Sequence, residues 1–498
     1  MESNQMENSQ QLTRFGRHTV AALVSATFVK AMALVLVKIL TTVLPKHDYG
    51  VYSLWMSFVV LVSTYSTSAF SATIWRFMPQ RRSSGERQSA SSLFATAIVG
   101  SLSILFATIV MLSILDAGGL RIVEDSLYPM TLVVVGLLTA AYALRELILV
   151  VSGSEQNSRE ILIFNLAFSL SSTLAACLVG WVFMDSHLVL VGLAIGYAIP
   201  LIISLAVKIR QYVSSFPRAS DLRKSLSFGS PSIMVGSVKA LVPFLTSLLV
   251  GLWLGLQEVA TLSIAVLLAG VFTFVVGPPQ TAYLAYIVNA YETGNYEGGK
   301  KTATLVIEMF LFLSTPVAFL MVRLSTLLIW LVSSDLYIDA ASLMPFTVAS
   351  AVLLSFSYFW KVQLDLVEKP HLTGITYLVS GILLAVVSLL LVPPFGLFGV
   401  GTAMVVQAGF VTLVLCILGH SQLPIQQRRS FWVAWTFSSV ALIATFEALR
   451  FIGIPDILSA LASSVAYLVI ANVTGVVSIH RVRSIIRLVI SRWDPAKD

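Results

Sequence analysis

Two lysines interrupt the first long apolar stretch of the chain: Lys30 near its middle and Lys38 eight residues further on. A third, Lys239, holds a matching place in another apolar stretch about 210 residues later. An ammonium inside a membrane span costs roughly 2.5–3.5 kcal/mol on insertion scales. Cations at matching depth in two repeated halves suit a pathway for something anionic, because a lysine binds phosphate as a point charge. Lys30 and Lys239 would form a cationic floor for a diphosphate or an acidic sugar. The competing reading is a lysine neutralised by burial, or paired with a carboxylate across a helix interface. The stretches 18–44 and 228–254 contain no Asp or Glu to supply that partner.

Further charges belong with these. Lys38 lies about 80° round a helix from Lys30, so it faces the same cavity or snorkels outward. Arg323, read as deep in the ninth apolar stretch, is either a second anion contact or the partner of a nearby carbonyl or carboxylate. Glu308, about one turn inside that stretch, is a rim ion-pair member or a proton-coupling carboxylate. Arg145 beside Glu146 reads as a rim ion pair, and Glu447 and Arg450 are spaced to satisfy each other on one helix. None of these groups forms a catalytic or metal-ligating constellation, so no catalytic residue, metal or cofactor is expected. Cys177 and Cys416 both lie in apolar runs and read as small buried hydrophobes rather than a disulfide.

The elements that hold these residues must sit in lipid. Of 498 residues, 57% are hydrophobic and only 11% charged, against about 25% charged in a soluble protein. Apolar runs of at least about 18 residues are candidate spans, and about fourteen are found, the ninth at 303–333 and the last at 456–480. The expected fold is therefore an all-α polytopic membrane protein. The net charge of +7 points to cytoplasmic loops and anionic headgroups rather than nucleic acid. With the N-terminus in the cytoplasm, 24 of the 31 Lys and Arg fall on the inner side, and only Lys46 and Arg121 fall in outer loops, with Arg450 near an outer end. Both termini are then cytoplasmic, in a cell membrane.

The chain also repeats itself. Leu44 to Leu54 aligns with Leu254 to Ile264, Phe15-Gly16 with Phe228-Gly229, and Gly192 to Gly196 with Gly399 to Ala403, all at a spacing of about 210. The expected organisation is a tail at 1–17, a six-span lobe at 18–207, a linker at 208–227, a second six-span lobe at 228–418, two extra spans within 431–480, and a basic amphipathic tail at 481–498. Each lobe crosses an even number of times, so the lobes are parallel repeats. No connection is long enough for a nucleotide-hydrolysing domain. Pro243, Pro278, Pro279 and Pro316 inside spans are helix benders or ordinary membrane prolines. The tail, with Ile479, Val482, Ile486 and Trp493 interleaved with Arg481, Arg483 and Arg487, is expected on the inner leaflet.

Three segments carry a resemblance. Leu44-Pro45 through Tyr49-Gly50-Val51-Tyr52-Ser53, Trp75-Arg76-Phe77-Met78-Pro79, and Pro393-Pro394-Phe395-Gly396 through Ala403 resemble the polysaccharide biosynthesis proteins, the Wzx-type flippases of the multidrug/oligosaccharidyl-lipid/polysaccharide superfamily. The resemblance implies a two-lobed, alternating-access transporter with a central cavity lined by spans 1, 2, 7 and 8. It implies a polyprenyl-phosphate-linked oligosaccharide as cargo, with membrane lipids, an H+ or Na+ gradient and other polysaccharide-assembly proteins as partners. Two other activities compete. A drug/cation antiporter of the same superfamily would need a carboxylate among the first lobe's spans. A polysaccharide polymerase or ligase would need large outer loops, and the longest is only about a dozen residues, near Asp116 to Leu127.

Overall fold

The computed structural model describes residues 24–117, 128–212, 215–422 and 429–474, excepting 156, 293, 295 and 368. The expected tails at 1–17 and 481–498, and most of the Asp116–Leu127 connection, lie outside the described residues. Within them the chain is helical and has no strand. Lipid offers no hydrogen bonds, so a spanning backbone must close its own, and helices do so within one segment. The helices are α1 (Val24–Val43), α2 (Lys46–Ser83), α3 (Arg87–Ala117), α4 (Tyr128–Ser154), α5 (Ser158–Phe183) and α6 (Ser186–Tyr212). There follow α7 (Ala219–Leu254), α8 (Leu256–Glu292), α9 (Tyr296–Arg323) and α10 (Ser325–Val332). A 3-10 turn (Asp335–Leu343) leads into α11 (Met344–Leu366), then α12 (Pro370–Phe395), α13 (Leu397–Gln422), α14 (Arg429–Phe451) and α15 (Asp456–Val473). Fourteen described segments are long and apolar enough to cross a membrane, the number read from the sequence.

Local chemistry sets the breaks. The turn between α5 and α6 places Met184 in the left-handed region (φ 51°). Asp185 Oδ1 there accepts from the amides of His187 (2.7 Å) and Leu188 (3.0 Å), capping α6. Gly396 (φ 58°) ends α12, directly after Pro393-Pro394-Phe395. The ninth apolar stretch is not one helix: α9 stops at Arg323 and α10 restarts at Ser325. Arg323 therefore sits at a helix end, not deep in a span. The linker expected at 208–227 is shorter, because α6 runs on to Tyr212 and α7 begins at Ala219.

The chain divides into two compact units, the first ending at Ala260 and the second beginning at Thr261. In the first, α2 packs along α7 and α4, and α5 along α6. Its core includes Phe70, Ile74, Phe94, Leu147 and Tyr212. In the second, α13 packs on α11 and α12, α14 on α15, and α9 on α11 and α15. There the Tyr283 and Phe359 rings meet edge-on at 5.0 Å and Phe310 and Phe359 at 5.3 Å. Large apolar side chains such as Phe106, Trp181, Ile202, Leu390 and Val433 point outward, which is the surface that hydrocarbon chains cover.

Candidate functional site

The antiparallel seam of α2 and α7 organises the first unit. The rings of Phe58 and Phe244 meet at 5.6 Å and those of Phe77 and Phe228 at 5.2 Å. Between these contacts the helices approach through glycine. A Cβ on Gly229 would lie 2.4 Å from Ala69 Cα, and one on Gly236 would lie 2.6 Å from Ser68 Oγ. Small residues let helix backbones close on each other in a membrane, where no hydrophobic force draws them together.

Beside this seam, α4 completes a cavity of about 310 Å³. From α2 it receives Ser63, Thr64, Thr67, Ser68, Ser71 and Ala72, from α4 Tyr142 and Glu146, and from α7 Ser232. The α2 residues lie in a run, Ser63-Thr-Tyr-Ser-Thr-Ser68, that is unusual for a membrane helix. Several of its hydroxyls give their protons to their own helix: Ser63 Oγ donates to the Val60 carbonyl (3.1 Å), Thr67 Oγ1 to Ser63 (2.8 Å) and Ser68 Oγ to Thr64 (2.6 Å). Their lone pairs remain as acceptors. Ser71 Oγ is buried with no hydrogen-bond partner among the described residues.

Polar links hold α4 in place. Arg145 Nη2 donates to Asn165 Oδ1 on α5 (3.0 Å), and Asn165 Nδ2 donates to Ser25 Oγ on α1 (3.4 Å). The Arg145 guanidinium lies over the rings of Tyr142 (5.5 Å) and Phe168 (5.8 Å). The expected Arg145–Glu146 pair does not form. Consecutive helical residues point about 100° apart, so Arg145 turns to α5 and Glu146 to the cavity.

The end of the unit where α2 and α4 finish is tied by charge. Arg81 Nη2 donates to Asp221 Oδ1 on α7 (2.7 Å), and Ser92 Oγ to Asp221 Oδ2 (2.6 Å). Burial alone would raise the Asp221 carboxyl. The bonds from Arg81 and Ser92, with the charges of Arg81 and Arg218, outweigh it and hold the carboxyl below its ordinary range. Nearby, Lys208 has a fully buried side chain and donates to Glu155 (2.7 Å) and Glu160 (2.5 Å), while Arg82 also reaches Glu155 (2.6 Å). Lys208 reads in the sequence as one more basic loop residue; the structure buries it in a paired network.

The residues singled out from the sequence are distributed as follows. Lys30 lies exposed on α1 and Lys38 partly buried on the same helix. Lys239 lies on α7, seven residues beyond Ser232. The flanking contacts at Ser68–Gly236 and Phe58–Phe244 put its backbone near the level of Ser63. All three lysines belong to the first unit. Arg323 and Glu308 belong to α9 of the second, roughly 22 Å apart along the helix. Arg323 is paired: its Nη2 donates to Glu447 Oε1 (2.9 Å) and its guanidinium covers the Phe446 ring at 4.5 Å. Glu447 is thereby taken, and Arg450 pairs instead with Asp456 (3.4 Å), which corrects the expected Glu447–Arg450 pair. Glu308 is buried. Glu146 and the hydroxyl face of α2 did not emerge from the sequence as cavity-lining, although the Ser/Thr run was the signal.

The fold is shared with transporters of the multidrug/oligosaccharidyl-lipid/polysaccharide superfamily. The lipid II flippase MurJ in an inward closed conformation matches with TM-score 0.72 at 11% identity, over 92% of this chain and 98% of that one. An inward-facing multidrug resistance MATE family transporter matches with TM-score 0.63 at 12% identity, over 81% and 98%. The eukaryotic MATE transporter AtDTX14 matches with TM-score 0.61 at 12% identity, over 83% and 96%. No curated protein matches the chain in sequence. The polysaccharide biosynthesis protein family, by contrast, matches residues 15–288, and because that stretch is more than half of the chain, from α1 through the hydroxyl-lined cavity to α8, the protein belongs to that family.

Proposed function

We propose that the protein is a flippase: it carries a polyprenyl-phosphate-linked oligosaccharide from the cytoplasmic to the outer leaflet by alternating access, with no covalent step. The observation that carries this reading is a hydroxyl-lined cavity among α2, α4 and α7 of an apolar helical unit, with Lys239 on α7 and Lys30 and Lys38 on α1 of the same unit. The glycan crosses in the polar interior while the lipid tail stays in hydrocarbon. The charges of Lys30, Lys239 and Lys38 screen the phosphate where the dielectric is low. Their hold must be moderate, because the cargo has to leave. An H+ or Na+ gradient drives the cycle, with Glu308 as a candidate coupling carboxylate, and other polysaccharide-assembly proteins supply and receive the cargo. Both termini face the cytoplasm.

Deleting the gene in its host and measuring where the lipid-linked glycan accumulates tests this directly. Build-up on the cytoplasmic leaflet with loss of surface glycan is the expected result. A Lys30→Ala/Lys239→Ala double variant that inserts normally should export none, and normal export by that variant would remove the lysines from the pathway. A second reading, a drug/cation antiporter, draws on Glu146, a first-unit carboxylate in the cavity. Unchanged glycan distribution with altered sensitivity to lipophilic cations would favour it.

A further inference from the structure

The cavity at the α2–α7 seam has a polarity opposite to what an anion needs. Three of its α2 hydroxyls, those of Ser63, Thr67 and Ser68, have spent their protons on carbonyls of their own helix, so they face the space as acceptors. Glu146 adds an acceptor that carries negative charge. Such a lining welcomes hydrogen-bond donors and repels carboxylates, phosphates and sulfates.

Two kinds of guest suit an acceptor lining, a bare cation and a hydroxyl-bearing sugar. A cation needs oxygens converging at about 2.3–2.6 Å. Here the α2 hydroxyl oxygens from Ser63 to Ser71 spread along roughly 12 Å of helix, and the space of about 310 Å³ exceeds a single water's share about tenfold. No group of three or more His, Cys, Asp or Glu placed to hold a metal occurs among the described residues. The volume reaches the lower end of small-molecule pockets. Tyr142 supplies the aromatic wall that a pyranose ring can lie against, and the buried Ser71 Oγ awaits a partner.

We infer that this cavity is a sugar subsite that takes an uncharged, hydroxyl-bearing pyranose and rejects an acidic one, with Glu146 as the specificity-determining residue. The inference rests on the flippase reading and narrows its cargo. The sugar that occupies this cavity is neutral, and the anionic part of the cargo lies elsewhere.

The test uses the full-length protein in liposomes with two probes, a polyprenyl diphosphate bearing a neutral hexose and one bearing the matching hexuronic acid. Transfer is read as glycan made accessible to membrane-impermeant periodate. The wild type should move the neutral probe at least about tenfold faster, since one like-charge clash of about 1.4 kcal/mol gives that factor. Glu146→Gln should narrow the ratio to within about threefold, by speeding the uronate while the neutral probe changes little. Equal wild-type rates for both probes would overturn the inference and leave the flippase reading standing. So would a Glu146→Gln variant that loses both probes equally, which marks a coupling-cation site. Movement of neither probe by the wild type would overturn the flippase reading itself, and this inference with it.

Discussion

Lys208 and Asp221 show how single charges are made tolerable beside a membrane. The Lys208 ammonium has no exposed side-chain surface and lies between Glu155 and Glu160. Removing one partner of a buried pair leaves an uncompensated charge and costs about 3–5 kcal/mol. Lys208→Ala should therefore lower the thermal unfolding midpoint in detergent, and adding Glu160→Gln should restore part of the loss. Independent, unrescued effects of the two changes would mean the pair is not a unit. Asp221 makes a prediction with a sign. Its carboxyl is held below the ordinary value of 3.8 by the bonds from Arg81 and Ser92, so it binds a proton less readily folded than unfolded. The stability it contributes is fully present above the unfolded value and is lost as pH falls through the lower folded one. The difference in midpoint between wild type and Asp221→Asn should be widest near neutral pH and shrink below about pH 4. A difference that grew on acidification would contradict the assignment. Neither arrangement is legible in the sequence, because Lys208, Glu155 and Glu160 come together only when α4, α5 and α6 converge.

At the scale of the helix, the decisive contacts are those of glycine. At Gly229 a methyl group would meet backbone, Ala69 Cα at 2.4 Å, whereas at Gly236 it would meet a rotatable hydroxyl, Ser68 Oγ at 2.6 Å. At Gly270 it would meet nothing within 4 Å. Gly229→Ala should cost the most, about 1–3 kcal/mol as for an overpacked core. Gly236→Ala should cost less, and Gly270→Ala should be neutral or stabilising by a few tenths through chain entropy. Thermal midpoints of the three variants check that order, and equal values would mean that the α2–α7 seam yields freely. Span number was readable from hydropathy alone, since lipid leaves a helix no alternative partner for its backbone. The break at Leu324 was not readable, because the apolar run continues on either side of Arg323, Leu324 and Ser325. The side of α2 that faces inward was not readable either. The Ser63–Thr73 hydroxyls go almost round the helix, and only packing against α4 and α7 selects Ser63, Thr64, Thr67, Ser68 and Ser71 as lining.

For the whole molecule, the central question is which body α7 moves with. The repeat in the sequence pairs Leu44–Leu54 with Leu254–Ile264 and so assigns α7 to the second half. Yet α7 packs along the length of α2, from the Arg81–Asp221 bond through the Phe77–Phe228 and Phe58–Phe244 rings, and the compact first unit includes it. If the two halves rock against each other around a central cargo, this seam must part for the cavity to open at the Arg81–Asp221 end. Phe77→Cys/Phe228→Cys, in a background where Cys177 and Cys416 are Ala, places two thiols across it. A short, reducible bis-thiol crosslinker should then cut glycan translocation at least about tenfold, with recovery on reduction, because a locked seam holds one of the two states and a population shift of that size needs only about 1.4 kcal/mol. Full activity of the crosslinked protein would show that α2 and α7 travel together throughout the cycle. The moving boundary would then lie after Ala260 rather than at the start of the repeat.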